Sequence, residues 1–164
     1  MKKVLSVLAL VMSLPVAAEQ PNMKTTSEAY KDWVVACVEQ EGVKRCEMKQ
    51  TLIKQNQQTI AVFSAVKRSQ KDTLMQIALP HMLDLTIPVK MTVDGKLVKN
   101  LPFKFCNQVA CFVLMENDKQ VIDAFKVGTA GEVEVQVMNG QQMKLDFSLS
   151  GFSAAMNNLP VGDK

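Results

Sequence analysis

The sequence has few of the residues on which catalytic and metal sites usually depend. Its 164 residues include one histidine, one tryptophan and one tyrosine, and aromatic residues make up 5%. The histidine, His81, has Asp84 nearby but no obvious nucleophile with which to form a catalytic triad. No serine-hydrolase elbow, Walker-type glycine loop, zinc-protease helix or calcium loop occurs. We therefore expect no catalytic residue, no metal site and no cofactor.

An excess of charge of one sign is also missing. Lysine and arginine number 19 against 16 acidic residues, which gives a net charge of +3. Charges of both signs alternate along the chain, and no basic stripe carries stacking aromatic residues. This pattern excludes nucleic acid as an expected partner. Paired carboxylates for hydrolysis stay as an alternative, although the spacing of the acidic residues selects no particular pair.

The first residues have the order of a secretory signal peptide. Lys2 and Lys3 precede an apolar run from Val4 to Leu14, and small residues follow up to Ala18. The run is shorter than the roughly 20 apolar residues that a transmembrane helix needs. We therefore predict that residues 1–18 are cleaved off and that the mature protein is exported to the periplasm. Onward passage to the cell surface or medium is the alternative. No membrane span should remain after cleavage.

Four cysteines follow the predicted cleavage site. An even number in an exported domain predicts two disulfides, and proximity in sequence favours Cys37 with Cys46 and Cys106 with Cys111. Metal binding and a redox couple are the alternatives. His81 is far from both pairs, and the spacing in CNQVAC differs from the C-x-x-C of redox sites. We therefore favour structural disulfides.

The rest of the chain predicts an all-β fold. Short apolar and β-branched runs, such as DWVVACV, TIAVFSAV and EVEVQVM, are separated by turn residues. This spacing is typical of an antiparallel β-sandwich-like single domain. Around Asn139-Gly140, we expect an odd loop or a bulge that pairs Val135 with Leu145, because an even loop would place the two apolar rows on opposite faces.

Two short helices and the domain limits complete the prediction. The stretch NDKQVIDAFKVG begins with capping residues and ends at a glycine, and GFSAAMNNLP has apolar residues at helical spacing before a proline. The polar residues 19–30 predict a flexible N-terminal arm. The domain itself should span residues 31–160, and residues 161–164 should form a tail.

Two side chains are candidate binding residues. Trp33, four residues before Cys37, is expected to cover the core beside a disulfide, and a ligand-stacking platform is the alternative. His81, within ALPHMLDLTIP, is expected on an exposed loop.

Several motifs together resemble the invasion-associated locus B family of exported proteins from Gram-negative bacteria. They are Trp33 before Cys37, Cys46 with Gln50, Leu79-Pro80, Asp94-Gly95, Phe105 with Cys106 and Cys111, and Gly151-Phe152 with Ala155. In one departure, His81-Met82-Leu83 follows the leucine-proline turn, where relatives often have a glycine. The resemblance covers about residues 32–159. It implies an exported, disulfide-bonded β domain without catalytic residues, connected in some relatives with bacterial entry into host cells.

The expected function is therefore non-enzymatic: an interaction or accessory protein of the cell envelope with an unknown protein or envelope partner. The alternative is a binding module for a small ligand or envelope component, using a cleft near Trp33. A hydrolase-type enzyme ranks third. An apolar pocket with converging polar groups would favour the binding module, and a flat exposed apolar patch would favour a protein partner.

Overall fold

The structure is a computed structural model, and it describes residues 23–163. The predicted signal peptide, residues 1–18, lies outside the described residues. The described part contains eleven strands and two helices: β1 (Met23–Tyr30), β2 (Trp33–Gln40), β3 (Val43–Ile53), β4 (Thr59–Ser69), β5 (Asp72–Leu79), β6 (Val89–Val93), β7 (Lys96–Leu101), β8 (Phe105–Cys106), β9 (Cys111–Glu116), α1 (Lys119–Val127), β10 (Ala130–Gln136), β11 (Gln142–Ser148) and α2 (Phe152–Asn158).

The strands form two antiparallel sheets. The larger sheet has seven strands in the order β1-β2-β3-β4-β5-β9-β8, and the smaller has four in the order β11-β10-β6-β7. The prediction of an antiparallel all-β fold with two short helices and two disulfides is confirmed. The loop at residues 80–88, between β5 and β6, carries the chain from the larger sheet to the smaller one.

Alternation along the strands builds one core between the sheets. On β4, for example, Ala61, Phe63 and Ala65 are buried, and on β10 Val133 and Val135 are buried. Every second side chain of a strand faces the same side, so these residues face the opposite sheet.

A chain of aromatic rings links both sheets and both helices. Phe63 of the larger sheet stacks on Phe147 of the smaller sheet, with ring centroids 4.1 Å apart. Phe125 of α1 contacts Phe147 at 5.3 Å and Phe152 of α2 at 5.3 Å. Both helices therefore pack on the core side of the larger sheet.

Both predicted helices are present. The side chain of Asp118 caps α1 by accepting a hydrogen bond from Val121 N. At the other end of α1, the N–H of Gly128 donates to Ala124 O. Gly151, with φ 90°, precedes α2. A β-carbon at Gly151 would lie 1.9 Å from Tyr30 O, so this close approach of the backbone to β1 requires glycine.

The prediction of a flexible arm at residues 19–30 is wrong for residues 23–30. These residues form β1, which pairs with β2 from Met23 opposite Gln40 to Tyr30 opposite Trp33. The strand carries no apolar alternation because nearly all of its side chains are exposed, and its polar sequence therefore gave no sign of a strand. Beyond the domain, Val161 bridges Lys67 of β4, so the described part of the predicted tail lies against the sheet.

The predicted register of the last hairpin is wrong by two residues, although its side-chain faces are correct. Val135 lies opposite Met143, not Leu145, and an odd five-residue connection, residues 137–141, joins β10 to β11. Val137 N still donates to Gln141 O at 2.8 Å across the hairpin, and Val137 also bridges Leu83. Met138 N donates to Met82 O at 3.0 Å, in the loop that links the two sheets.

Candidate functional site

The two disulfides each join neighbouring strands of the larger sheet. Cys37 of β2 is bonded to Cys46 of β3, and Cys106 of β8 is bonded to Cys111 of β9. In both pairs the two residues lie directly opposite each other. Among residues 23–163 no cysteine is free. The bonds therefore fix the register of two hairpins.

Trp33 is not available as a ligand-stacking platform. Its side chain is 1% exposed, its ring contacts Phe152 edge-on at 5.1 Å, and Nε1 donates to Ser148 O at 3.0 Å. A tryptophan in a β-rich sequence can fall on either face of its strand, and here it falls on the core face together with Cys37. The core interpretation agrees with the structure, and a ligand could not reach the ring.

Gln50 explains why a glutamine follows the second cysteine. This side chain is buried and bridges the two sheets, because its Nε2 donates to Asp32 O at 3.0 Å and to Ser148 O at 3.1 Å. Its Oε1 accepts from Ser148 N at 3.0 Å. A cleft of about 540 Å³ lies beside this point and is lined mainly by polar residues, including Asp32, Thr129 and Asp146. The ring of Trp33 does not line it.

His81 lies on an exposed loop, as expected. Its Nε2 is 2.8 Å from Asn107 O, inside the loop closed by the Cys106–Cys111 disulfide. A carbonyl oxygen only accepts, so Nε2 donates in this hydrogen bond. The contact connects the loop at residues 80–88 to the disulfide loop.

The outer side of the larger sheet, facing away from the core, carries an apolar surface that we call the apolar sheet face. Its members are half-buried or exposed side chains on four adjacent strands: Val62, Val66, Leu74, Ala78, Phe105, Phe112 and Leu114. Within residues 23–163 the smaller sheet and both helices pack on the opposite side, so no further layer covers this surface.

The strand register arranges the apolar sheet face in rows. One row runs through Val62, Ala78, Phe112 and Phe105. In this row the Phe105 and Phe112 rings stack at 4.9 Å, and Phe105 is 48% exposed. At the centre of the next row, Gln76 Nε2 donates to Ser64 Oγ at 3.1 Å. The face is therefore apolar around one satisfied polar pair.

Ion pairs border the apolar sheet face. At one end, Arg68 contacts Asp72 at 2.9 Å and Glu116 at 3.8 Å. The hydrogen bond to Asp72 raises the pKa of the Arg68 guanidinium. On the neighbouring strand β3, Lys49 pairs with Glu47 at 3.1 Å. An apolar centre with a charged rim is the usual anatomy of a protein–protein interface.

A cavity of about 400 Å³ lies at the other end of the apolar sheet face. Apolar residues form most of its wall, and His81 contributes one ring; the lining includes Ile60, Val62, Ala78, Pro80 and Val109. Val62 and Ala78 belong to both surfaces, so cavity and face are continuous.

A second cavity, of about 660 Å³, lies at the opposite end of the sheet under the C-terminal segment. Its basic lining residues include Arg45, Lys67 and Arg68. Lys67 Nζ donates to Met156 O at 2.6 Å. The pKa of Lys67 is lowered mainly by burial and, to a lesser extent, by repulsion from Lys126. The charges of Lys67 and Arg68 thus already have partners within the fold.

The sequence carried a signal for the apolar sheet face that the strand prediction did not use. The runs IAVFSAV of β4 and CFVLM of β9 are apolar at both alternating positions. A strand with apolar side chains on both faces is typical of a sheet covered on both sides. The sequence could not show which strands would lie side by side.

Neither a metal cluster nor a membrane-spanning helix occurs in the described part. Among residues 23–163, no group of three or more histidine, cysteine, aspartate or glutamate residues is placed to hold a metal ion. No helix in the same range is long and apolar enough to cross a membrane.

Comparison with known proteins identifies close structural similarity to one group. A family model described as invasion associated locus B protein matches residues 33–160. The crystal structure of invasion associated protein B from Bartonella henselae has a TM-score of 0.72 and 25% sequence identity, covering 82% of this chain and 94% of that chain. No curated protein matches the chain.

Proposed function

The chain belongs to the invasion associated locus B family, and we propose that it is an exported, non-enzymatic protein of the cell envelope that binds a protein partner through the apolar sheet face. The proposal rests on one observation: among residues 23–163, no further layer covers the outer face of the larger sheet. Its seven apolar side chains, each covering about 4.8 by 6.6 Å of the sheet, give a footprint of about 220 Å². A contiguous exposed apolar patch with a polar rim is typical of a protein interaction site.

The shape of the surface favours a protein over a small molecule. A sheet face is broad and nearly flat, whereas sites for small molecules are concave and enclose most of the ligand. The ion pairs of Arg68 and Lys49 lie at the border of the face, where they remain hydrated when the centre is covered.

Export is supported by the disulfides and by the N-terminal sequence. Disulfides persist in oxidising compartments such as the periplasm, and both cysteine pairs are bonded here. We propose a periplasmic protein that begins at Glu19 after signal cleavage. N-terminal sequencing of the protein from the periplasmic fraction should give this residue, and an intact Met1 in that fraction would contradict export by cleavage.

A non-enzymatic role is supported by the surroundings of the single histidine. The hydrogen bond at Nε2 of His81 goes to the backbone oxygen of Asn107, whereas a catalytic histidine usually has a carboxylate to orient it. We expect His81→Ala to leave export and partner binding unchanged. A folded His81→Ala protein that has lost the activity of the wild type would point back to catalysis.

Substitution on the apolar sheet face tests partner binding. Leu114→Lys and Phe105→Lys each place a charge on the face, and burying that charge against a partner would weaken binding at least about tenfold. The matched control is Leu97→Lys, on the smaller sheet, where the leucine is 56% exposed. The measurement is co-purification from envelope extracts, with melting temperatures to show that all variants fold. Equal recovery with Leu114→Lys and Leu97→Lys would contradict the proposal.

A second function is favoured by the cavity beside His81. Its largely apolar wall, with polar side chains from His81, Gln58 and Thr59, suits a small apolar ligand with a few hydrogen-bonding groups. Filling the cavity with Ala78→Leu should abolish a thermal shift produced by such a ligand while sparing protein binding elsewhere on the face. A ligand whose thermal shift survives Ala78→Leu does not bind in this cavity.

We further propose that the protein contributes to contact with a host cell. The family and the Bartonella henselae protein both carry invasion in their descriptions. A deletion strain complemented with wild-type protein should recover entry into host cells, and complementation with Leu114→Lys should not. Full recovery with Leu114→Lys would separate this role from the apolar sheet face.

A further inference from the structure

Strand β1 is an edge of the larger sheet that its own side chains do not explain. All its side chains are exposed except the half-buried Tyr30. The strand nevertheless keeps an unbroken register with β2 over all eight residues. Ordering a strand costs conformational entropy, which buried apolar surface usually offsets. Within this chain, β1 buries almost none.

Among residues 23–163, the outer edge of β1 also lacks the usual protection against pairing. Edge strands are commonly shortened, bulged, interrupted by proline or covered. Strand β8, at the other edge of the same sheet, has two residues, and Val98 O on the edge strand β7 accepts from Gln120 Nε2 at 2.9 Å. By contrast, β1 has eight residues, no proline and no register shift.

The hairpin fixes which backbone groups of β1 point outward. A two-residue turn, with Lys31 at φ 55°, joins Tyr30 to Trp33, and the residues that flank such a turn form a hydrogen-bonded pair. Alternate residues from Tyr30 back along the strand therefore bond to β2. The N–H and C=O groups of Thr25, Ser27 and Ala29 face away from the sheet.

The sequence of β1 is complementary to itself in the antiparallel direction. When two copies are aligned with Thr26 opposite Thr26, Lys24 lies opposite Glu28 in both directions, and Thr25 lies opposite Ser27. The outward-facing residues Thr25 and Ser27 would then form the hydrogen-bonded pairs. Lys24 and Glu28 would form the closer, non-hydrogen-bonded pairs, in which opposite charges stabilise a sheet.

Lys24 and Glu28 form no ion pair in the described part of the chain. The ion pairs among residues 23–163 do not include Lys24 or Glu28, and both side chains are exposed. On β2, Lys24 lies opposite Glu39 and Glu28 lies opposite Val35. Burial, together with a hydrogen bond from its hydroxyl to Glu28, raises the pKa of Tyr30, so Glu28 already has one uncharged partner. A lysine on an edge normally discourages pairing, but in this register it meets a carboxylate.

We propose that two copies of this chain associate through antiparallel pairing of their β1 strands, centred on Thr26, which joins the two seven-stranded sheets into one continuous sheet. The symmetry axis is perpendicular to the sheet, so both apolar sheet faces lie on the same side. Their centres, on β5 of each copy, are nine strand spacings apart, or about 43 Å. The dimer itself does not depend on the proposed function. If that function holds, each dimer carries two binding faces, one on each copy.

Charge reversal tests the pairing. Sedimentation equilibrium of the exported protein should show a dimer. Lys24→Glu and Glu28→Lys should each raise the dimer Kd by about tenfold or more, since two attractive pairs become repulsive. The double variant restores opposite charges and should return the Kd to within about threefold of wild type. Lys54→Glu, on the exposed β3–β4 loop, is the matched control and should have no effect.

Each contrary result overturns the proposal. A wild-type monomer at the highest soluble concentration would do so, as would a dimer unaffected by the single reversals. Failure of the folded double variant to recover the dimer would also do so. Circular dichroism and melting temperatures show that each variant is folded.

Carbodiimide cross-linking gives a direct geometric test. Within one strand Lys24 and Glu28 are about 13 Å apart, too far for a bond without a spacer. In a mixture of ¹⁴N- and ¹⁵N-labelled protein, the cross-linked Lys24 and Glu28 peptides should carry different isotopes in about half of the products, as random exchange of copies requires. Cross-links only between peptides of the same isotope, or none, would contradict the pairing.

Discussion

At the residue scale, Gly151 and Gln50 show why two positions of the family pattern matter physically. Gln50 makes three hydrogen bonds that connect β3 to the β1–β2 turn and to β11. Gly151 lets the chain pass against Tyr30 on its way into α2. In the sequence, both residues were recognisable only as part of the motifs that resemble the family. Ser148, a partner of Gln50, is 98 residues away along the chain, and Tyr30 is far from Gly151 in sequence, so local patterns carry no information on these contacts.

Gly151→Ala should destabilise the protein more than the same change at Gly140. Both glycines have positive φ, 90° and 86°, so alanine strains the backbone at both, by about 1 kcal/mol. Only at Gly151 would the β-carbon also meet a backbone atom, Tyr30 O, while nothing lies within 4 Å at Gly140. We expect an additional loss of about 1–3 kcal/mol in the free energy of unfolding. Urea denaturation of both variants measures it, and equal losses would show that Tyr30 is not in contact.

Trp33 shows what a single residue type leaves undecided. The sequence placed it beside a disulfide and allowed either a core or a ligand-binding role. The face of β2 on which it lies decides the question, and that face is set by pairing with β3, where Cys37 and Cys46 are opposite. The indole is buried with its N–H satisfied by Ser148 O, which leaves it a structural role.

At the element scale, alternation predicted strands well where one face was apolar and failed where both were polar. The sequence EVEVQVM predicts strand β10, whereas the polar sequence of β1 predicts a flexible arm, and the structure has a strand there. The last hairpin shows a related limit. Alternation fixes which face each side chain occupies, but a shift of two residues keeps the faces, so alternation alone does not select the register.

The two disulfides should differ in what they contribute to stability. Closing loops of this length stabilises by roughly 2–3 kcal/mol each in the loop-entropy estimate. Cys37 and Cys46 are both buried, whereas Cys106 is exposed. Cys37→Ser with Cys46→Ser therefore also buries two hydroxyl groups and should cost more than Cys106→Ser with Cys111→Ser. Thermal unfolding compares the two double variants, and an equal or reversed order would contradict this difference in burial.

Asp94 should make part of the stability depend on pH. Hydrogen bonds from Ala130 N, the Thr129 hydroxyl and Thr129 N lower the pKa of its carboxyl group. A lowered pKa contributes stability that is present above the unfolded value of about 3.9 and is lost as the pH falls through the folded value. Asp94→Asn keeps a residue that tolerates the φ of 47° at this turn.

Asp94→Asn should therefore be less stable than wild type at pH 7, and the difference should shrink as the pH falls below about 4. Urea denaturation at pH 7, 5, 4 and 3 measures the free energy of unfolding of both proteins. Asp84→Asn should behave similarly, because hydrogen bonds from Thr86 lower the pKa of Asp84. A difference that stays constant over this pH range would show that Asp94 is not the titrating group.

At the scale of the whole molecule, the fold class and the disulfide framework followed from the sequence, but the apolar sheet face did not. The face exists because β9 lies between β5 and β8, and β4 lies beside β5. Strand β5 is separated from β9 by β6, β7 and β8, so their pairing is a long-range event. Phe105 lies opposite Phe112 in the local β8–β9 hairpin that the Cys106–Cys111 bond closes, and pairing of β9 with β5 adds this aromatic pair to the face.

Site-specific photo-crosslinking in living cells tests most directly whether the apolar sheet face binds a protein partner. A photoreactive phenylalanine derivative is placed at Leu114 on the face and, as the control, at Leu97 on the smaller sheet. The account predicts a light-dependent adduct with one envelope or host-surface protein from position 114 and none from position 97. The same adduct from both positions, no adduct from position 114 in folded exported protein, or an adduct only with a second copy of this chain would contradict the account.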